Sequence, residues 1–166
     1  MASVDRNAVL VVRNVRLTYL YLMDDRIEFH FKSFEDLSKT ELYEVLWLRD
    51  RVFVVGQKIT ALSEVDGEDP QWHHLLAYKN AKLIGYARLK WDQDPVKIGR
   101  IAIDTDLQNQ GLGTTLMHEI HQVLGSRSGY MHAQAYLRSW YEQLGWRVCG
   151  PAFDEADIKH LPMERP

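Results

Sequence analysis

Over residues 27–32 the apolar Ile27, Phe29 and Phe31 alternate with Glu28, His30 and Lys32, the period of a strand with one buried face. The period changes at Ser38. Glu41 follows at capping-box spacing, and Leu42, Val45, Leu46, Val52 and Phe53 recur at helical intervals, which predicts a helix over 38–53 with Arg49 on its apolar face. Residues 58–72 show no period and gather Glu64, Asp66, Glu68 and Asp69 around Gly67 and ahead of Pro70, an acidic loop. Strands over 75–79 and 83–91 follow, joined across Asn80-Ala81-Lys82, and a further strand over 96–104 comes after the turn at 92–95. Leu116, Met117, Ile120, Val123 and Leu124 then define a helix over 111–124 that stops at Gly125. A strand over 130–135, a short helix over 137–144 ended by Gly145, and a tail with strand character over 146–149 complete the order. The pattern is mixed α/β (α+β), with a sheet that is largely antiparallel at its start and flanked by helices.

At 166 residues, with 46% hydrophobic and 26% charged residues, the chain has the composition of a globular protein and the length of one domain. We expect residues 1–26 to be an N-terminal extension and residues 27–166 a single domain. The apolar run over 8–23 is interrupted by Arg13, Asn14 and Arg16, so it predicts neither a spanning helix nor, lacking a small-residue cleavage site, a signal peptide. A formal charge of -3 gives no basic footprint for nucleic acid. The one cysteine, Cys149, has no internal partner for a disulfide, which fits a reducing cytoplasm. No membrane and no nucleic acid are therefore expected as partners.

The stretch over 101–115 carries the most chemistry. A strand leads through Asp104, Thr105, Asp106 and Leu107 into Gln108-Asn109-Gln110-Gly111-Leu112-Gly113-Thr114 and then a helix. Glycines there leave backbone N–H groups open to a phosphate, and the helix N-terminus adds partial positive charge. Two glycines between a strand and a helix also occur as plain turn residues, so the spacing alone leaves both readings open. The Walker loop is absent, and Leu116 stands where the dinucleotide fingerprint needs its third glycine. His118-Glu119-Ile120-His121 lacks the spacing of a zinc-protease helix, so no metal is expected and both histidines read as solvated helix residues.

The segment IGRIAIDTDLQNQGLGTTLM resembles the central motif of the GCN5-related N-acetyltransferase (GNAT) family, in which Gln-x-x-Gly-x-Gly holds the coenzyme A pyrophosphate. The segment AQAYLRSWYEQLGW resembles the family's second motif, with Tyr141, Gly145 and Trp146 in register and Gln134 where Asn is usual. LRDRVFVVGQ, EVDGED and HHLLAY extend the likeness to the ElaA-like branch, which usually has Glu where this chain has Gly56. The resemblance implies a GNAT fold whose mixed sheet splays at the cofactor strand, with acetyl-CoA as co-substrate. Its backbone contacts would come from Ile101, Ala102 and Ile103, its phosphate contacts from Gln108, Asn109, Gln110, Gly111, Leu112, Gly113 and Thr114, and a further contact from Gln134.

The resemblance further implies transfer to a primary amine of a small molecule by direct attack, with Tyr141 as general acid toward the thiolate. His74, Glu64 and Asp66 are candidate bases, because an ammonium must lose a proton and this acidic loop precedes the strand expected to border the acceptor groove. Arg49 and Asp69 are candidate acceptor contacts. A protein or peptide N-acetyltransferase and a non-catalytic acyl-CoA sensor stay open beside this reading, as does a homodimer.

Overall fold

The computed structural model describes residues 26–58 and 63–166; the run over 8–23, most of the extension expected over 1–26, and residues 59–62 lie outside the described residues. Strand β1 (Glu28–Ser33) leads into helix α1 (Lys39–Arg49). The capping box forms as its residues suggest: the Glu41 N–H donates to Ser38 Oγ at 3.1 Å, and the Ser38 N–H donates to Glu41 Oε2 at 2.8 Å. Such caps contribute about 1 kcal/mol. Lys32 Nζ reaches the same carboxylate at 2.7 Å and pins β1 to the helix. Burial raises the Glu41 carboxyl, but Lys32 and Ser38 outweigh it and hold the group at about 2.

The helix expected over 38–53 changes register rather than continuing. From Asp50 to Gly56 the chain winds as a π-helix, with the Gln57 N–H bonded to Val52 O at 3.1 Å. The wider turn keeps Val52 and Phe53 in the same apolar cluster as Val45 and Leu48, against Leu76, Leu83, Tyr86 and Ala102 on one face of the sheet. Strands β2 (His73–Lys79) and β3 (Lys82–Lys90) are joined by Asn80 and Ala81 alone, both at positive φ (51° and 59°), a two-residue hairpin turn that matches the sheet's twist.

Strand β4 (Val96–Ile103) follows, then helix α2 (Leu112–Leu124), β5 (Gly129–Gln134), the short α3 (Arg138–Gln143), β6 (Arg147–Val148), β7 (Phe153–Glu155) and β8 (Ile158–Arg165). The sheet order is β1-β2-β3-β4-β5-β8-β6, with β7 on β8, and among the described residues only β4 and β5 run parallel. Helix α2 lays Leu116, Met117, Ile120 and Leu124 on the other face of the sheet, against Val96, Ile98, Met131, Ala133, Met163, Tyr141 and Trp146. Each large side chain so covered contributes roughly 1.5–3 kcal/mol.

Two expectations are corrected here. His121 is not a solvated helix residue: its Nε2 accepts the Trp146 indole N–H at 3.0 Å, and burial, with the charge of Arg165, pushes it down to about 4. The tail is more than one strand over 146–149, since β8 inserts between β5 and β6.

Candidate active site

The site originates in a mismatch between β4 and β5. Val96, Lys97 and Ile98 pair with Gly129, Tyr130 and Met131, and there the pairing ends, although β4 continues to Ile103 and β5 to Gln134. Arg100 sits just beyond the fork at φ 53°, and the β3–β4 register slips between Tyr86 and Arg88. This bulge turns the strand away from its parallel neighbour. A cleft of about 1140 Å³ fills the opening.

On the α2 side the cleft is lined by Ile101, Ile103, Gln108, Asn109, Gly111, Gly113, Thr114, Leu137, Trp140 and Tyr141. Asn109 and Gly111 take positive φ (60° and 83°), which curls the loop ahead of the helix N-terminus. The Trp140 indole donates to Thr114 Oγ1 at 3.2 Å, and its ring lies 3.4 Å from where a Gly113 Cβ would stand. A side chain there would stand against the ring and narrow the approach to the helix start. A rim of backbone N–H groups at a helix N-terminus, free of a Cβ at Gly113, fits a pyrophosphate.

The loop is anchored by residues the sequence did not single out. Asp104 is fully buried; its Oδ1 accepts the Asp106 N–H at 3.1 Å, Lys82 Nζ lies 2.8 Å from Oδ2, and Arg51 lies 3.5 Å away. Burial raises its carboxyl, but Lys82, the Asp106 N–H and Arg51 together hold it below the usual carboxylate range. Arg51 also donates to Thr105 Oγ1 at 3.0 Å, tying the π-helical turn to the cradle. A signal existed for Asp104 alone, the first residue after a strand and two before an exposed N–H.

Tyr141 is 5% exposed, and burial pushes its phenol well above 10, so the hydroxyl keeps its proton. That hydroxyl makes no hydrogen bond among the described residues. It faces the cleft beside the splayed strand.

On the α1 side the wall is made by Val52, Phe53, Gln57, Glu64, Asp66, Trp72, Arg88, Lys97 and Arg100, with His132, Gln134, Tyr136, Glu155 and His160 opposite. Arg49, Arg88 and Arg100 interleave with Glu64, Asp66 and Asp69. Arg49 grips both oxygens of Asp69 at 2.8 and 2.9 Å and also bonds the Glu64 side chain and carbonyl. Arg88 bonds Asp66 at 2.6 Å and Asp69 at 2.8 Å, and Arg100 bonds Glu64 at 2.9 Å. Burial raises the Asp66 carboxyl, yet Arg88 and Arg100 outweigh it and hold the group at about 2.

The structure therefore brings Glu64 and Asp66 to the cleft as arginine-bound carboxylates, and the lowered Asp66 is poor at accepting a proton. Arg49, Asp69 and His74 stand behind the wall rather than on it. His74 is fully buried, with Nε2 donating to the Asp69 carbonyl at 3.1 Å and Nδ1 accepting from Tyr86 Oη at 2.7 Å. Burial drives its pKa down, and neither nitrogen is left for a substrate. Gln134 joins Gln57 at 2.9 Å and Tyr136 at 2.6 Å, bridging the mouth of the fork. Ala102, Gln110 and Leu112 do not line the cleft, and Gly56 lies off it, with the Arg51 carbonyl 3.0 Å from where a Cβ would stand.

A sheet opened at the parallel β4–β5 pair, with a glycine loop and helix N-terminus on one side and a charged chamber on the other, defines an acyltransferase of the N-acetyltransferase class. Residues 44–165 match the family model described as the acetyltransferase (GNAT) domain, and the chain belongs to that family. A UPF0039 protein of Schizosaccharomyces pombe is 37% identical over 82% of this chain and 95% of its own length. Protein ElaA of Escherichia coli is 34% identical over 84% of the chain and 96% of its own, and its crystal structure superposes with a TM-score of 0.75, covering 85% of this chain and 100% of that one. The crystal structure of an acyl-CoA N-acyltransferase from Pseudomonas aeruginosa, 34% identical, gives a TM-score of 0.77 over 84% of this chain and 99% of that one.

Proposed function

We propose that this chain transfers the acetyl group of acetyl-CoA to a primary amine of a small molecule, by direct attack, with Tyr141 as the general acid. The observation that carries the reading is the Tyr141 hydroxyl: protonated, unbonded among the described residues, and on the cleft wall between the loop over 108–114 and the splayed strand.

In this reading the loop and the start of α2 hold the pyrophosphate. The pantetheine arm runs along Ile101 and Ile103, whose backbone groups lack β5 partners, and a backbone N–H of that strand meets the oxyanion of the tetrahedral adduct. The amine enters from the α1 side, where the opposite face of the sheet is reached through the fork. Once the carbon–sulfur bond breaks, the Tyr141 proton passes to the thiolate. Such acids contribute on the order of 10²-fold, less when the leaving group is as stable as a thiolate.

Titration calorimetry with acetyl-CoA, followed by free-thiol release across a panel of small amines, tests the reading. We expect saturable binding and turnover of at least one amine. Binding with no turnover on any small amine, but turnover on peptide N-termini, would favour the peptide acetyltransferase; binding with silence on both would favour a sensor.

A further inference from the structure

The wall opposite the arginine cluster carries a second set of titratable groups, His132, Glu155 and His160. Along β5, Met131 and Ala133 are buried with α2, so His132 and Gln134 face the other side, the one on which Gln57 follows the π-helical turn. Ile98 and Met131 are the last paired residues of the parallel ladder, and His132 is the next on β5. It stands at the fork, across from Gly99 and the Arg100 bulge.

His132 Nδ1 lies 3.3 Å from Glu155 Oε2, and the Phe153 ring packs edge-on at 4.7 Å. A carboxylate only accepts, so Nδ1 carries the hydrogen and Nε2 presents a lone pair. Tyr130 Oη is 3.2 Å from Nε2, a long contact that an incoming ammonium can displace. The side chain is 32% exposed and open to the cleft. None of the other groups around it is an imidazole backed by a carboxylate. His160 Nδ1 donates to the Ile158 carbonyl at 2.8 Å with no carboxylate behind it, and Glu164, across from Tyr130, is held by Arg147 at 3.0 Å. Lys97 faces Tyr130 from β4 as a cation.

The geometry points to His132 as the base of the reaction, a catalytic residue, and to Glu155 as the carboxylate that positions it; this rests on the acetyl-transfer reading above. Nε2 takes one proton from the ammonium, the freed nitrogen lone pair attacks the thioester carbon, and the carbon–sulfur bond breaks as Tyr141 protonates the sulfur. The nitrogen's second proton restores Tyr141, and the proton on His132 leaves to solvent. The sum is an amide, free coenzyme A and one proton.

Water serves as the probe acceptor, since it needs the same base and no identified amine. Acetyl-CoA hydrolysis by the wild-type chain, followed by thiol release, is expected above the rate in free solution. His132→Gln is expected to lower it on the order of 10²-fold and Glu155→Gln about tenfold, with calorimetric affinity for acetyl-CoA unchanged in both. Glu155 lies on an exposed hairpin, so its variant keeps the test valid if His132→Gln folds poorly. Unchanged hydrolysis in both variants, or wild-type hydrolysis no faster than in free solution while acetyl-CoA binds, overturns the assignment. Absence of acetyl-CoA binding to the wild type instead overturns the acetyl-transfer reading itself.

Discussion

Replacing Arg49 with Met isolates the energetic role of the charged cluster. The guanidinium is fully buried, with two bonds to Asp69 and two to Glu64, so it ties α1 to the loop that walls the cleft. Methionine fills similar length but leaves those acceptors short of donors. Removing one partner of a buried ion pair costs about 3–5 kcal/mol. Asp69 keeps Arg88 at 2.8 Å and Glu64 keeps Arg100 at 2.9 Å, which places the loss near the lower end. At about 3 kcal/mol, a chain of this size loses roughly 6–12 °C in Tm. Urea unfolding should show a lower midpoint with an unchanged slope, because the denatured surface is the same. Arg49→Lys should recover only part of the loss, since one ammonium cannot hold Asp69 at two oxygens and Glu64 as well. Because Arg49 stands behind the wall, acetyl-CoA affinity of the folded protein should not change. A loss under about 1 kcal/mol for the Met variant would refute the view that these bonds hold the wall in place.

Tyr141→Phe should lower turnover about tenfold or more while calorimetric acetyl-CoA affinity stays constant; an unchanged rate removes its role as acid. Stability should fall in two steps on acidification. His121, neutral in the fold at about 4 against 6.5 when unfolded, gives stability that is complete above pH 6.5 and lost as pH falls toward 4. Glu41 and Asp66, both at about 2, give stability that is complete above their unfolded values and lost as pH falls toward 2. Urea midpoints across pH should show both steps, and His121→Gln should remove the upper one. Ala81→Gly should stabilise by about 0.5–1 kcal/mol, since Ala81 holds a left-handed φ of 59° that glycine adopts freely; a destabilised variant in thermal unfolding would contradict this.

The glycine loop and the start of α2 were legible because their parts are local. Gln108, Gly111, Gly113 and Thr114 are neighbours in sequence and in space, and the loop's composition leads directly to its curl and its open N–H groups. The capping box, the alternation of β1 and the stripe of α2 are local in the same sense. The π-helical turn was hidden because α- and π-winding share their apolar residues; Val52 and Phe53 satisfy either period, and the choice is made by Leu83, Tyr86 and Ala102 beneath them. Strand β8 was hidden by Pro162, a residue that argues against an interior strand, here set opposite His132 and accepting the Cys149 N–H at its carbonyl.

The charged wall follows the opposite logic, and that is why the sequence points to the nearest acids as candidate bases. Four acids in one loop look like a base supply until their partners are known, and those partners, Arg49, Arg88 and Arg100, arrive from three different elements. At Asp66, Arg88 and Arg100 hold the carboxyl at about 2, so clustering there removes basicity instead of providing it. His132 and Glu155, in contrast, are separated by α3 and β6 and carry no motif. They meet only because β8 inserts beside β5 and folds β7 back over it. A base must keep a lone pair that an incoming ammonium can reach, and sequence shows which residues own lone pairs but not which are accessible. The buried His74 holds Asp69 and Tyr86 behind the wall, whereas His132 lines the cleft, with Nδ1 on Glu155 and Nε2 in the longer 3.2 Å contact with Tyr130 Oη.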